Sequence, residues 1–296
     1  MADERRPTVA FLGAGTMGSA MARNALGADL PVRVWNRTRE RAEPLRDDGA
    51  TVVSSPREAA DGAELIVTML SDADAVVAAV DGEDGALAGA GDGAIWVQAS
   101  TIGIEGTERC AEVAERGGVV LVDAPVLGTK APAEQGKLVI LASGPEEALE
   151  RCQPLFDAIG ERTMRLGAAG TATRLKLVTN AWVVTVVEGV AEMLALAEGL
   201  SLEPGWFFEA IGGGALDLPY ARMKGEMMLE RAFEPSFSLK LATKDAELVV
   251  RAAERHGLDL PMLRAIARRM AEGVEAGHGD DDLSATYLTS SPTANE

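Results

Sequence analysis

Short apolar runs alternate with alanine-rich stretches through the first half of the chain. The runs fall at residues 9–12, 32–35, 51–53, 65–70, 94–97, 119–122 and 138–142, with glycine or polar turns between them. Several are apolar at every position, which suits parallel strands covered on both faces. Strands alternating with helices imply right-handed crossovers and a doubly wound α/β domain. The pattern changes after Gly167-Ala168-Ala169-Gly170. From residue 171 to about 198 there is no proline, and Gly189 is the lone interior glycine. The run Val183-Val184-Thr185-Val186-Val187 is β-branched, yet the stretch is too long for a strand. It reads as a long helix, apolar nearly all round and therefore buried, which requires surrounding helices or a partner subunit. A homodimer or homotetramer is expected. Helical stretches continue at 204–211, 223–231, 239–256 and 261–275, while 289–296 is small, polar and expected to fray. The predicted organisation is a doubly wound α/β domain over 1–168 followed by an all-α domain over 169–296.

The first apolar run leads straight into Gly13-Ala14-Gly15-Thr16-Met17-Gly18. Strand, tight turn and helix follow one another, leaving backbone N–H groups and a helix N-terminus facing outward, a site suited to a pyrophosphate. Gly13 permits the turn, Gly15 lets phosphates approach the backbone, and Gly18 lets the helix pack on the strand. Such a glycine spacing is weak alone. Here it stands directly behind a strand, and a second strand ends about twenty residues on, where the ribose-reading residue belongs. The first domain is therefore read as Rossmann-type. That second strand ends in Asn36-Arg37-Thr38 rather than in a carboxylate. An amide does not repel a 2′-phosphate, and Arg37 can fork onto one, unless the basic stretch is simply solvated. NADPH is expected over NADH.

Composition narrows the partners. The 296 residues carry a net charge of −18, which argues against nucleic acid and anionic membrane surfaces. Positive charge must then be gathered locally if the substrate is an anion. Cys110 and Cys152 have no metal-ligand spacing and read as reduced thiols of a cytoplasmic protein. Residues 1–6 lack the apolar core of a signal peptide. The longest candidate for a membrane run, 177–187, stops at Glu188. His256 and His278 lie late in the chain, with no triad or metal cluster around them.

Four segments could carry chemistry. Gln98-Ala99-Ser100-Thr101 follows the fifth strand, at the sheet end where ligands bind. Thr101 can donate to a carboxylate or carbonyl, and Ser100 or Thr101 can equally cap the next helix. Asp123-Ala124-Pro125-Val126-Leu127-Gly128-Thr129-Lys130 follows the sixth. Gly128 lets its backbone approach a ligand, consecutive N–H groups can form an anion nest, and Lys130 adds charge. Lys176 and Asn180 stand one helical turn apart, with Lys176 between Leu175 and Leu177. A lysine in a dry cleft can hold a carbonyl oxygen and protonate it, its pKa lowered by desolvation; a lysine can also snorkel to solvent. In Phe237-Ser238-Leu239-Lys240-Leu241-Ala242-Thr243-Lys244-Asp245, the two lysines share a helical face that alone reads as solvated.

Together and in order, these segments resemble the β-hydroxyacid dehydrogenase family, which includes 3-hydroxyisobutyrate dehydrogenase and the glyoxylate/succinic semialdehyde reductases. The resemblance covers nearly the whole chain. It rests on residues 11–18, on Asp123-Ala124-Pro125-Val126 with Gly128, on Gly167 through Lys176 to Asn180, and on Lys244-Asp245. It implies that Lys176 is the general acid in reduction and that Asn180 orients it or the substrate. It implies that Thr101, Leu127, Gly128 and Thr129 line the substrate, with Phe237, Lys244 and Asp245 closing the site from the helical domain and Lys244 near the cofactor. Gly13, Gly15, Thr16, Met17, Gly18, Asn36, Arg37, Thr38, Leu70 and Thr101 would contact the cofactor. Leu127 stands where the family usually carries Ser, which removes a hydroxyl donor and adds bulk. Thr179 stands where many members have a second Asn. The function expected is hydride transfer between NADPH and a small carbonyl substrate bearing a carboxylate, a semialdehyde or a β- or γ-hydroxy acid. The rivals are an imine reductase, a class that usually places Asp or Tyr at the lysine position, and a catalytically idle NADPH-binding protein.

Overall fold

The computed structural model describes residues 6–291, which form two compact units, one ending at Lys176 and the other starting at Leu177. In the first, strands β1 (Val9–Leu12), β2 (Val32–Trp35), β3 (Thr51–Val52), β4 (Leu65–Thr68), β5 (Ile95–Gln98) and β6 (Val120–Asp123) make a parallel sheet in the order β3-β2-β1-β4-β5-β6. The connecting helices are α1 (Thr16–Gly27), α2 (Pro44–Asp47), α3 (Pro56–Ala60), α4 (Ala73–Val80) and α5 (Gly103–Gly117). All four residues of β1, β4 and β5 are buried because side chains alternate between two covered faces. Val9 and Phe11 join Val34, Val67 and Val97 in one core layer, while Ala10 and Leu12 join Ile66 and Trp96 in the other. The strand order reverses between β1 and β4, so a crevice opens at their carboxyl ends, where the glycine turn lies.

The run at 138–142 is a strand but does not join this sheet. It is β8 (Leu138–Ala142) of a smaller sheet, antiparallel to β7 (Val126–Leu127) and parallel to β9 (Gly160–Arg165). Helix α6 (Lys130–Glu134) turns the chain back on itself between β7 and β8, and α7 (Glu146–Ile159) supplies the crossover to β9. The segment after β6 is thus partly a strand rather than a free loop. Cys110 and Cys152 are buried in this unit, and burial pushes both thiols up to about 12, leaving them unreactive.

The second unit is helical: most of α8 (Thr171–Gly199), then α9 (Trp206–Ile211), α10 (Pro219–Leu229), α11 (Leu239–Arg255), α12 (Pro261–Gly273) and α13 (Tyr287–Ser290). Helix α8 is long and apolar enough to cross a membrane by length and composition, but it is the core helix of this unit. Val184, Val187, Ala191 and Leu194 lie on one stripe that packs against Phe208, Met228, Leu239 and Met270. The expectation of burial all round is corrected: Val178 is 66% exposed, and Trp182, Met193 and Leu196 are exposed with it. These four recur at helical spacing on another face. By its contacts the first compact unit runs on to Lys176, because the first turn of α8 is hydrogen-bonded to Asp123 and Ser143 of that unit.

The end of the chain is held, not frayed, as far as Ser291; residues 292–296 lie outside the described residues. Thr286 donates to Glu188 Oε2 at 2.6 Å, Ser291 donates to Glu198 at 2.8 Å, and the Tyr287 hydroxyl also meets Glu198. Glu188 is buried, and among the described residues its Oε1 has no hydrogen-bond partner, with Arg269 Nε 3.9 Å away. Burial pushes its carboxyl up to about 7, with the Thr286 hydroxyl pulling the other way. A value raised on folding means that this group's contribution is whole below about pH 4.5 and lost as pH rises through about 7. Glu188→Gln should therefore raise the melting temperature by several degrees at about pH 8 and bring no gain at about pH 4. Melts across that range check it, and an equal gain at both ends would contradict it.

Candidate active site

The glycine turn has the shape of a phosphate cradle. Gly13 adopts φ +117°, and a Cβ there would lie 2.2 Å from the Met69 carbonyl oxygen. A Cβ on Gly18 would lie 2.1 Å from the Gly13 carbonyl oxygen, so α1 closes directly on the turn. Around Gly15 nothing lies within 4 Å of the corresponding point. Gly15, the N-cap of α1, provides no side-chain cap, and the first turn of α1 holds no acidic residue. Open space at Gly15, in front of uncapped N–H groups, fits a dinucleotide pyrophosphate.

Asn36 supports this loop. Its Oδ1 accepts the Ala14 N–H at 2.9 Å and its Nδ2 donates to the Thr38 carbonyl at 2.7 Å. Both ends of the amide are engaged by backbone, a bracing role that its position in the sequence did not reveal. Arg39 pairs with Glu43 at 2.7 Å, whereas Arg37 is exposed and has no ion pair among the described residues. Leu70 lies against the turn, its Cδ2 3.0 Å from where a Gly13 side chain would begin.

At the end of β5, buried Gln98 accepts the Ser100 N–H at 2.8 Å and donates to the Ser100 carbonyl at 2.7 Å. Ser100 Oγ accepts the Leu70 N–H at 2.9 Å, tying the ends of β4 and β5 together. Helix α5 has Ile102 at its N-cap, and the Ser100 hydroxyl is engaged by Leu70. Thr101 stands half-buried beyond this lock.

Lys176 is half-buried near the start of α8, and its Nζ donates to the Val126 carbonyl at 2.8 Å. It therefore reaches the segment that includes Leu127, Gly128 and Thr129. Leu127 is half-buried on β7 opposite Val139, Gly128 is exposed with φ +124°, and Thr129 is the N-cap residue of α6. Asp123 ends the otherwise apolar β6 and is fully buried. Burial pushes its carboxyl above the ordinary range, and donors from Thr173 and Ser143 pull the other way. The sequence placed Asp123 in a motif but gave it no role.

In the helical unit, Asn180 Nδ2 donates to Asp245 Oδ2 at 2.7 Å, and Lys244 Nζ lies 3.0 Å from Asp245 Oδ1. Asn180 and Asp245 are buried, so this is a built polar cluster and not a solvated face. Lys240 turns away to pair with Asp280. The approach to α11 is set by a group that sequence reading missed. Asp282 and Lys224 form an ion pair at 2.7 Å with no exposure on either side chain. Asp282 Oδ2 also accepts the N–H groups of Ser236 and Phe237 at 3.0 and 3.3 Å. Phe237 is thereby fixed by its backbone.

The parallel sheet, the cradle after its first strand and the lysine held on the 123–129 segment define an NAD(P)-dependent oxidoreductase. Residues 8–167 match the model of the NAD binding domain of 6-phosphogluconate dehydrogenase. Residues 170–289 match that described as NAD-binding of NADP-dependent 3-hydroxyisobutyrate dehydrogenase. A chloroplastic glyoxylate/succinic semialdehyde reductase of Arabidopsis thaliana is 32% identical over 94% of this chain and 78% of its own. The structure of a Mycobacterium tuberculosis 3-hydroxyisobutyrate dehydrogenase with L-serine superposes with a TM-score of 0.85. It is 29% identical and covers 96% of this chain and 99% of that one. An imine reductase from Pseudomonas sp. shares the fold at a TM-score of 0.63 and 24% identity, covering 96% of this chain and 99% of that one. The chain belongs to the 3-hydroxyisobutyrate dehydrogenase family.

Proposed function

We propose that the protein reduces the carbonyl of a small semialdehyde acid with NADPH, the reverse reaction oxidising a β- or γ-hydroxy acid. The observation that carries this reading is Lys176, half-buried and held to the Val126 carbonyl of the segment suited to an anion. NADPH, when bound, supplies the hydride. Lys176 holds the substrate carbonyl oxygen and delivers a proton to it as negative charge develops. The backbone of Gly128 and Thr129, with the Thr101 hydroxyl, receives the substrate carboxylate. Leu127 offers no hydroxyl, so backbone N–H groups take the larger share of that work. Asn180, its amide fixed by Asp245, serves as a positioning residue on the same helix as Lys176.

Arg37 supports NADPH over NADH: it is exposed, unpaired among the described residues, and follows the strand end where ribose is read. Arg37→Ala should raise the Michaelis constant for NADPH by about 10–100-fold, the worth of a charge-assisted bidentate contact, and change that for NADH little. Equal constants before and after would remove the assignment.

A second reading, imine reduction, draws on the apolar side chain of Leu127. The lysine at position 176 speaks against it. Turnover of a cyclic imine without turnover of a semialdehyde acid would favour it. The exposed stripe of Val178, Trp182, Met193 and Leu196 on α8 supports assembly with a second copy of the chain, as a homodimer or homotetramer.

A further inference from the structure

We infer that Asp123 is a positioning residue for the reaction, capping the first turn of α8 from the end of β6 and so fixing where Lys176 reaches. This rests on the reading of Lys176 as the proton donor.

A helix start leaves backbone N–H groups without partners, and the residues before α8 cannot supply a side-chain cap. They are Ala168, Ala169 and Gly170. The cap is instead brought from elsewhere in the unit. Thr173 N–H donates to Asp123 Oδ2 at 2.8 Å, and Thr173 Oγ1 donates to Asp123 Oδ1 at 2.7 Å. Ala172 N–H donates to Ser143 Oγ at 3.0 Å, and that hydroxyl lies 3.2 Å from Asp123 Oδ2. The Thr107 hydroxyl, 3.0 Å from Thr173 Oγ1, backs the contact from α5. Asp123, Ser143, Thr107 and Thr173 are all buried. Backbone hydrogen bonds in both directions between Asp123 and Ser143 anchor the cap at the junction of the two sheets. A carboxylate is also the favourable charge for a helix N-terminus.

Lys176 lies three residues beyond Thr173 on the same helix and bonds Val126, three residues beyond Asp123. The short strip 123–126 therefore grips α8 at two points. Without the Asp123 grip, the first turn can shift in phase or fray, and Lys176 moves with it. A displacement of about 1 Å at a reacting group is worth about 10²-fold in rate. Asp123 does not touch the substrate in this scheme. Its effect passes through Lys176.

The test is turnover of the holoenzyme in a cycle of Asp123→Ala, Lys176→Ala and the pair, with NADPH affinity measured by fluorescence. Asp123→Ala should lower kcat by about 10–100-fold, leave NADPH affinity within about twofold, and add less than about twofold in the Lys176→Ala background. Asp123→Asn, which keeps one acceptor for the Thr173 N–H, should lie between. A folded Asp123→Ala enzyme with normal kcat would overturn the inference. So would an equal loss in the Lys176→Ala background, the mark of general structural damage. If Asp123→Ala does not fold, Thr173→Ala removes one of the same bonds and is held to the same outcomes at smaller amplitude. Near-normal turnover of Lys176→Ala alone would sink the proton-donor reading and is seen separately from either result.

Discussion

Lys176→Ala should lower turnover by about 10²–10⁴-fold while NADPH still binds. The lysine is the half-buried cation that the structure sets against the 123–129 segment, at 2.8 Å from Val126 O. In this scheme it both holds the carbonyl oxygen and gives up the proton, so alanine removes charge stabilisation and proton delivery together. Lys176→Arg should not restore the rate, since a guanidinium keeps its charge but does not release a proton near neutral pH. The glycine cradle lies on β1 and α1, whereas Lys176 belongs to α8 and bonds the Val126 carbonyl. Steady-state kinetics beside a cofactor titration separate the two effects. Near-normal turnover in the alanine variant would contradict the mechanism.

The largest expected effect on stability is at Asp282. Asp282→Ala leaves the Lys224 ammonium, with no exposed surface, without its counter-charge. It also strips an acceptor from Ser236, Phe237 and Ser284. Removing one partner of a buried pair costs about 3–5 kcal/mol, a large part of the stability of an ordinary domain. In the native protein the Asp282 carboxyl sits below its ordinary range: burial alone would raise it, and the Lys224 ammonium with the backbone donors more than offsets that. Denaturant melts should show the loss. Replacing both residues with apolar ones of similar size should recover the part due to the orphaned charge, but not the part due to the donors of Ser236, Phe237 and Ser284. A loss under about 1 kcal/mol in Asp282→Ala would mean that the pair is not the brace of this unit.

What could be read in the sequence were features with a local physical signature. The glycine turn was legible because Gly13 and Gly18 stand where a side chain would meet backbone, while Gly15 faces open space. Strands β1, β4 and β5 were legible because burial on both faces requires largely apolar runs. Strand β9 was not, since Gly160–Arg165 is polar and half-exposed and gains its strand character from pairing with β8. The run at 138–142 has the composition of a sheet strand, but its partners are decided by the turn at Gly128 and α6. Lys176 and Asn180 stood out as polar residues in an apolar helix. Asp123, Ser143 and Thr173 did not, because their meeting is non-local. Asn36 was read for what it would do to a ligand, and the structure gives it a bond to the cradle itself.

The most direct measurement is NADPH oxidation by the purified protein against succinic semialdehyde, glyoxylate, methylmalonate semialdehyde and a five-membered cyclic imine. Turnover of at least one of the three acids, lost in Lys176→Ala and absent with the imine, is the predicted result. It would show that the 127–129 segment accepts a carboxylate despite Leu127. Silence on all three acids with turnover of the imine would contradict the proposed function, and silence on all four would leave a protein that binds the dinucleotide without reducing these substrates.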